Sequence, residues 1–138
     1  MGNTIYKKAS FRDVIYAFDK SSFVIINTLP INQQHCLITN TIPLESEELV
    51  MNKLLSLNKD INIIVYGKNS NDETTEKKCA QLFNIGFKNV YCFTGGLYEW
   101  MLLQDIYGDE NFPTTSKCID ILVYKPDDCF SSNLLKYI

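Results

Sequence analysis

Ile61-Asn62-Ile63-Ile64-Val65-Tyr66-Gly67-Lys68-Asn69-Ser70-Asn71-Asp72 is the stretch on which the fold reading turns. Ile61 to Tyr66 is a mostly apolar, β-branched run of strand length, the pattern of a strand covered on both faces. Gly67 then opens a polar loop that runs into a helical pattern beginning at Thr74. In α/β domains a strand, a short loop and a helix N-terminus form a place that holds an anion or an activated nucleophile. Unpaired backbone N–H groups and the helix dipole converge there. Glycine brings no side chain to such a place.

On either side of this unit the same alternation recurs. Residues 10 to 20 read as a helix, with Ser10 as N-cap and Val14, Ile15 and Phe18 as its apolar stripe. Phe23 to Asn27 is a short apolar strand, and Thr28-Leu29-Pro30 leaves the sheet because proline cannot serve in a central strand. Ile31 to Thr41 is loop-like, broken by the apolar Cys36-Leu37-Ile38. Glu45 to Leu57 is a helix with Glu45, Glu47 and Glu48 in its first turns, where the dipole favours negative charge. Leu49, Met51, Leu54, Leu55 and Leu57 are expected to supply its apolar side. Thr74 to Phe83 forms the next helix, stopped near Gly86, and Asn89 to Phe93 a further strand. Gly95-Gly96 permits a tight turn into a helix from Leu97 to Ile106, on which Trp100 and Leu103 share a face. Gly108 to Ser116 is a polar loop.

Strands alternating with helices imply a three-layer α/β sandwich, a parallel sheet of four or five strands between two helix layers. The expected organisation is one domain over residues 1–116 and a C-terminal extension over 117–138 that packs back or binds another chain. In that extension Ile119 to Tyr124 is an apolar run without an evident partner, and Leu134 to Ile138 is an apolar tail.

The chain's 138 residues suit a single domain with a real core, and a hydrophobic fraction of 46% is ordinary for one. A net charge of −3 and a single arginine, Arg12, argue against nucleic-acid partners and against a guanidinium phosphate clamp. No run reaches the roughly 18 apolar residues of a membrane span, and the first residues lack a secretion-signal core. The five cysteines, 36, 79, 92, 118 and 129, form no C-x-x-C pair, and with one histidine they lack zinc-ligand spacing. Cys36, Cys79 and Cys92 lie in apolar or helical contexts and read as core, which suits a reducing, cytoplasmic compartment. Met1 to Tyr6 is an incomplete myristoylation pattern, with tyrosine where serine or threonine belongs. The bias toward Asn, Ile, Lys and Tyr is that of an AT-rich genome, such as a protist's or a large DNA virus's.

Four blocks carry a family resemblance. Val24-Ile25-Ile26-Asn27 is a strand, and His35-Cys36-Leu37-Ile38-Thr39-Asn40-Thr41-Ile42-Pro43 a loop of set length. Ile63 to Gly67 is the central strand with its loop. Gly86-Phe87-Lys88-Asn89-Val90, followed by Gly95-Gly96-Leu97-Tyr98-Glu99-Trp100, is the most specific block. Together these resemble a rhodanese-like domain over roughly residues 10–116, and Phe112-Pro113 fits the aromatic-proline step that often follows. Each block also has a plain structural reading: a helix stop, a turn, a core tryptophan at Trp100. The resemblance implies a sulfurtransferase fold whose catalytic cysteine falls at Gly67. It implies an Asp and Arg where Asn27 and Leu29 stand, and a frequent arginine where Asp72 stands. The remnant active-site loop is then Gly67, Lys68, Asn69, Ser70, Asn71 and Asp72, with Lys68 its one cation and Asp72 reading as an N-cap that occupies the anion site itself.

The expected function is accordingly a non-catalytic rhodanese-like module that binds protein or regulates, with no metal and no cofactor. Its candidate contacts are the remnant loop, the segment from Gly108 to Ser116 and the tail. One alternative is a structural subunit of a larger assembly, such as a virion or an organellar or cytoskeletal complex, joined through residues 130–138. A second is a sulfurtransferase with a relocated cysteine. Cys36 beside His35 invites that reading, but adjacent residues generally point apart, and His35 reads better as a hydrogen-bonded structural residue.

Overall fold

The computed structural model describes residues 6–130. The acylation pattern of residues 1–5 and the tail at 131–138 lie outside them. Four strands and four α-helices follow in chain order: β1 (Lys7–Ala9), α1 (Phe11–Ala17), β2 (Phe23–Asn27), α2 (Leu44–Leu57), β3 (Asn62–Tyr66), α3 (Glu73–Asn84), β4 (Asn89–Phe93) and α4 (Gly96–Tyr107). A 3-10 turn over Ile121–Tyr124 comes after them. The sheet is wholly parallel, in the order β1-β4-β3-β2.

The sheet alternation sorts side chains into two cores. Ile25, Ile64, Tyr66 and Phe93 face α1 and α4, where Val14, Leu97, Trp100 and Met101 meet them. Ile26, Ile63, Val65, Val90 and Cys92 face α2 and α3, against Met51, Cys79 and Leu82. Placing one helix pair on each face is what right-handed crossovers give when the chain jumps from β1 to the far edge and winds back. Trp100 is fully buried; its indole N–H donates to the Pro113 carbonyl (3.1 Å), and its ring stands edge-on to Phe112, 5.1 Å between centroids.

The fourth strand is β1, a three-residue edge strand that the hydrophobic pattern does not reveal. Its two lysines are exposed, as suits a sheet edge kept free of other chains. Helix α1 begins at the Ser10 cap, in a full capping box with Asp13, but ends at Ala17 rather than at 20. Tight i→i+3 bonds from Phe18 and Lys20 close it there.

The apolar side of α2 also departs from expectation. Leu49 and Leu57 are 73% and 77% exposed. The inward face runs through 47, 50, 51, 54 and 55, the i, i+3, i+4, i+7, i+8 stripe, so a glutamate takes a core position. Glu47 holds it by pairing with Lys78 of α3 at 2.7 Å.

The stretch from 31 to 43 is irregular but largely tied down. Cys36, Leu37 and Ile38 are buried, and the Ile42 N–H donates to the Ile25 carbonyl (2.8 Å), which covers the outer edge of β2. The Tyr66 hydroxyl accepts from the Ile38 N–H (3.1 Å) and shares a hydrogen with Thr41 (2.7 Å). Residues 108–116 form one wall of this region rather than a free loop: Phe112 is buried, and Thr39 and Thr115 make backbone bonds between the two segments. Tyr124 is 1% exposed and belongs to the core under α4.

Candidate functional site

Register brings the site together. Asn27, Tyr66 and Phe93 are paired across β2, β3 and β4, so the residues that follow them, Thr28, Gly67 and Thr94, open side by side at the C-terminal edge of the sheet. In open α/β sheets this edge is where ligands bind.

The ground in front of Gly67 is filled. A Cβ built there would stand 2.5 Å from Asp72 Oδ2 and 2.8 Å from Thr28 Oγ1, and would overlap Thr75 Oγ1 outright. These three side chains form a plug. Thr74 Oγ1 donates to Asp72 Oδ1 (2.5 Å) and lies 2.9 Å from Thr28 Oγ1, and the Thr28 and Thr75 hydroxyls are 3.4 Å apart.

The backbone donors expected to hold an anion are largely taken. Asp72 caps α3: its carboxylate accepts from the Thr74 N–H (3.0 Å) and reaches back to the Lys68 N–H (2.8 Å). Asn69 turns its own side chain inward and accepts from the Asn71 N–H (2.9 Å). At the other wall, the first N–H groups of α4 donate to the loop itself, Leu97 to the Gly67 carbonyl and Tyr98 to the Lys68 carbonyl, both at 2.9 Å. Both helix N-termini that face the strand ends therefore take capping partners from within the chain.

Gly96 makes that docking sterically feasible. Its φ is +65°, and a Cβ would come within 2.6 Å of the Gly67 carbonyl oxygen and 2.9 Å of the Asn69 nitrogen. The double glycine of the sequence is thus a close-approach device as well as a turn. The end of β2 carries a neutral pair. Asn27 accepts from the Leu29 N–H (2.9 Å) and from Gln34 Nε2 (2.7 Å), and donates back to Gln34 Oε1 (3.2 Å).

A cleft of about 390 Å³ remains outside the plug, rimmed by Lys68, Asp72, Glu73 and Asp127 among others. Three carboxylates against one ammonium disfavour an anionic substrate by simple Coulomb repulsion. Among the described residues, no group of His, Cys, Asp and Glu could hold a metal ion, and no helix is long and apolar enough to cross a membrane.

The loop residues 67–72 are contiguous in space as in sequence. What the sequence reading missed is the plug's other half, Thr28 and Thr75, which only strand register brings to Gly67, and the tether from Asn69 Nδ2 to the Tyr124 carbonyl (2.9 Å). His35 is a correction. Its side chain is exposed, and it contributes to the fold through its backbone carbonyl, which accepts from Ser116 Oγ (2.6 Å). Cys36 points the opposite way, into the core.

A family model described as Rhodanese-like domain matches residues 20–103, more than half of the chain. The chain belongs to the rhodanese-like domain family. Solved structures share the fold. The Alr3790 protein from Anabaena sp. superposes with a TM-score of 0.57 at 23% identity, over 94% of this chain and 90% of that one. The BH2092 protein from Bacillus halodurans gives 0.64 at 16%, over 91% and 88%. A full-length protein from Lactobacillus plantarum gives 0.53 at 18%, over 72% and 83%. No curated protein matches the chain in sequence.

The remaining thiols of this rhodanese-like domain are mostly sealed. Cys36, Cys79 and Cys92 are at most 2% exposed. Burial pushes the Cys36 thiol up to about 11, which keeps it protonated. Cys79 on α3 and Cys92 on β4 share the second core, where their mutual interaction suppresses ionisation of Cys79 and favours that of Cys92. Cys118 and Cys129 lie outside that shell.

Proposed function

We propose that this rhodanese-like domain is non-catalytic and acts by binding protein. The observation that carries the reading is the plug at Gly67: the volume a nucleophile's side chain needs is occupied by Thr28, Asp72 and Thr75, and the donors that would steady an oxyanion serve Asp72 instead. Loss of the sulfur alone would leave a hollow. Here the hollow is closed and its charge reversed.

Support for a contact role comes from the segment that follows residue 116. Ile119, Leu122 and Val123 are exposed, at 96%, 61% and 46%, on a stretch anchored to the remnant loop through Tyr124 and Asn69. Apolar groups held outward on an anchored segment are typical of interaction surfaces. The polar rim around the loop and these apolar side chains then form neighbouring parts of one contact region.

The test has two arms. With thiosulfate and cyanide, the purified chain should form no thiocyanate above the uncatalysed rate. Turnover that vanishes on Cys118→Ser or Cys129→Ser would instead establish a relocated sulfurtransferase. Cross-linking in extract from the native source should recover a protein partner that is lost on Ile119→Asp with Leu122→Asp. A partner retained in full by that variant refutes the assigned contact region.

A further inference from the structure

Cys36 and Cys118 are 82 positions apart in sequence and are brought together by the fold. The antiparallel contact of Ile38 with Thr114 sets Cys36 beside Ser116, whose carbonyl accepts from its thiol at 3.5 Å. The chain then turns so that Cys118 packs against the same core cluster as Cys36, its thiol 3.7 Å from the hydroxyl of Tyr124, another member of that cluster. The two thiols are unequal in access. Cys36 is fully buried. Cys118 is half-buried and lines a cleft of about 800 Å³ together with Gln104, Asp105, Lys117 and Ile119. A solvent-reachable thiol close to a second thiol that can resolve it is an arrangement common to redox-sensing cysteines.

We propose that Cys36 and Cys118 form a peroxide-responsive dithiol, with Cys118 meeting the oxidant in the cleft and Cys36 resolving it to an intramolecular disulfide. The Cys118 thiolate attacks one oxygen of hydrogen peroxide, the O–O bond breaks, and hydroxide leaves and is protonated to water. Cys118 becomes a sulfenic acid. The Cys36 sulfur then attacks the Cys118 sulfur, the S–O bond breaks, and the departing hydroxide takes the Cys36 proton and leaves as water. Two thiols are oxidised by two electrons and one peroxide is reduced to two waters. The bond would pin the 117–124 segment, and with it the carbonyl that holds Asn69, to the loop after β2. Cys79 and Cys92 are a built-in control: two thiols that likewise share one core cluster, but both sealed from solvent.

Titrating the reduced full chain with hydrogen peroxide and mapping non-reduced peptides should yield a Cys36–Cys118 link, with Cys79 and Cys92 still reduced. Cys118→Ser should abolish the link. Cys36→Ala should leave a Cys118 sulfenic acid that dimedone traps. The oxidised form should melt higher, on the order of 10 °C for a loop this long. The proposal is overturned if Cys118 passes to sulfinic acid or joins Cys129 while Cys36 stays free, or if Cys79 and Cys92 link first.

Discussion

Placing a cysteine at Gly67 should not confer sulfur transfer. In Gly67→Cys the new Cβ would stand 2.5 Å from Asp72 Oδ2 and 2.8 Å from Thr28 Oγ1, so the plug must shift. Overpacking of this kind costs about 1–3 kcal/mol, seen as a fall of several degrees in melting temperature. Ionising the thiol costs more. A thiolate about 4 Å from the Asp72 carboxylate meets a repulsion of roughly 4 kcal/mol at an effective dielectric near 20, equivalent to about 3 pH units. A thiol with an ordinary value near 8.5 is about 3% ionised at pH 7, and this shift would leave about 0.003%. The Lys68 and Thr74 N–H donors could offset the repulsion only by leaving Asp72. Iodoacetamide labelling of residue 67 against pH should therefore show a strongly raised thiol. Thiocyanate formation should stay at background, and adding Asp72→Ala should bring the labelling profile back by two units or more. Gly67→Cys alone turning over thiosulfate at native stability would refute both the plug and the charge argument.

Three further outcomes follow from single contacts. Gly96→Ala combines a φ of +65° with a 2.6 Å approach to the Gly67 carbonyl, and should lose about 2–4 kcal/mol in chemical denaturation; a loss under 1 kcal/mol would show that the loop docks more loosely than its geometry states. Lys78→Met strands the 8%-exposed Glu47 without its partner and should cost about 3 kcal/mol, whereas the double replacement Glu47→Leu, Lys78→Met should be nearly neutral; equal losses for the two would mean that the buried charge is not what matters. Stability should also fall in alkali. The folded chain holds the Cys36 proton up to about pH 11, well above an ordinary thiol, so this contribution is complete below the ordinary thiol range and is lost as pH rises from there to 11; burial of Tyr66 acts in the same sense above pH 10. Melting temperatures that stay level from pH 8 to 11 would contradict this, and Cys36→Ala should flatten the early part of the decline.

Much of the frame is readable without coordinates. The apolar runs ending at Asn27, Tyr66 and Phe93 are strands to the residue at their C-terminal ends, because short runs rich in β-branched and aromatic residues between turn residues suit a strand. The Asp72 cap and the buried Trp100 follow from local chemistry in the same way. Strand β1 is invisible because three residues with two lysines carry no periodic signal, and its strand character comes from pairing with β4. The face of α2 is misjudged because leucines outnumber the correct positions, and a glutamate in a core register shows itself only when Lys78 arrives from another helix.

The sequence by itself determines that this is a parallel α/β domain and that its central loop opens on a glycine, with no side chain at the end of the middle strand. Those are facts of residue identity and short-range periodicity. Only the tertiary structure decides that the resulting gap is closed, since Thr28, Asp72 and Thr75 converge on it through strand register and a helix cap, contacts between residues up to 47 positions apart. It likewise decides that Cys36 and Cys118 share one core cluster, because that depends on where the chain returns after α4, and a residue pattern carries no record of it.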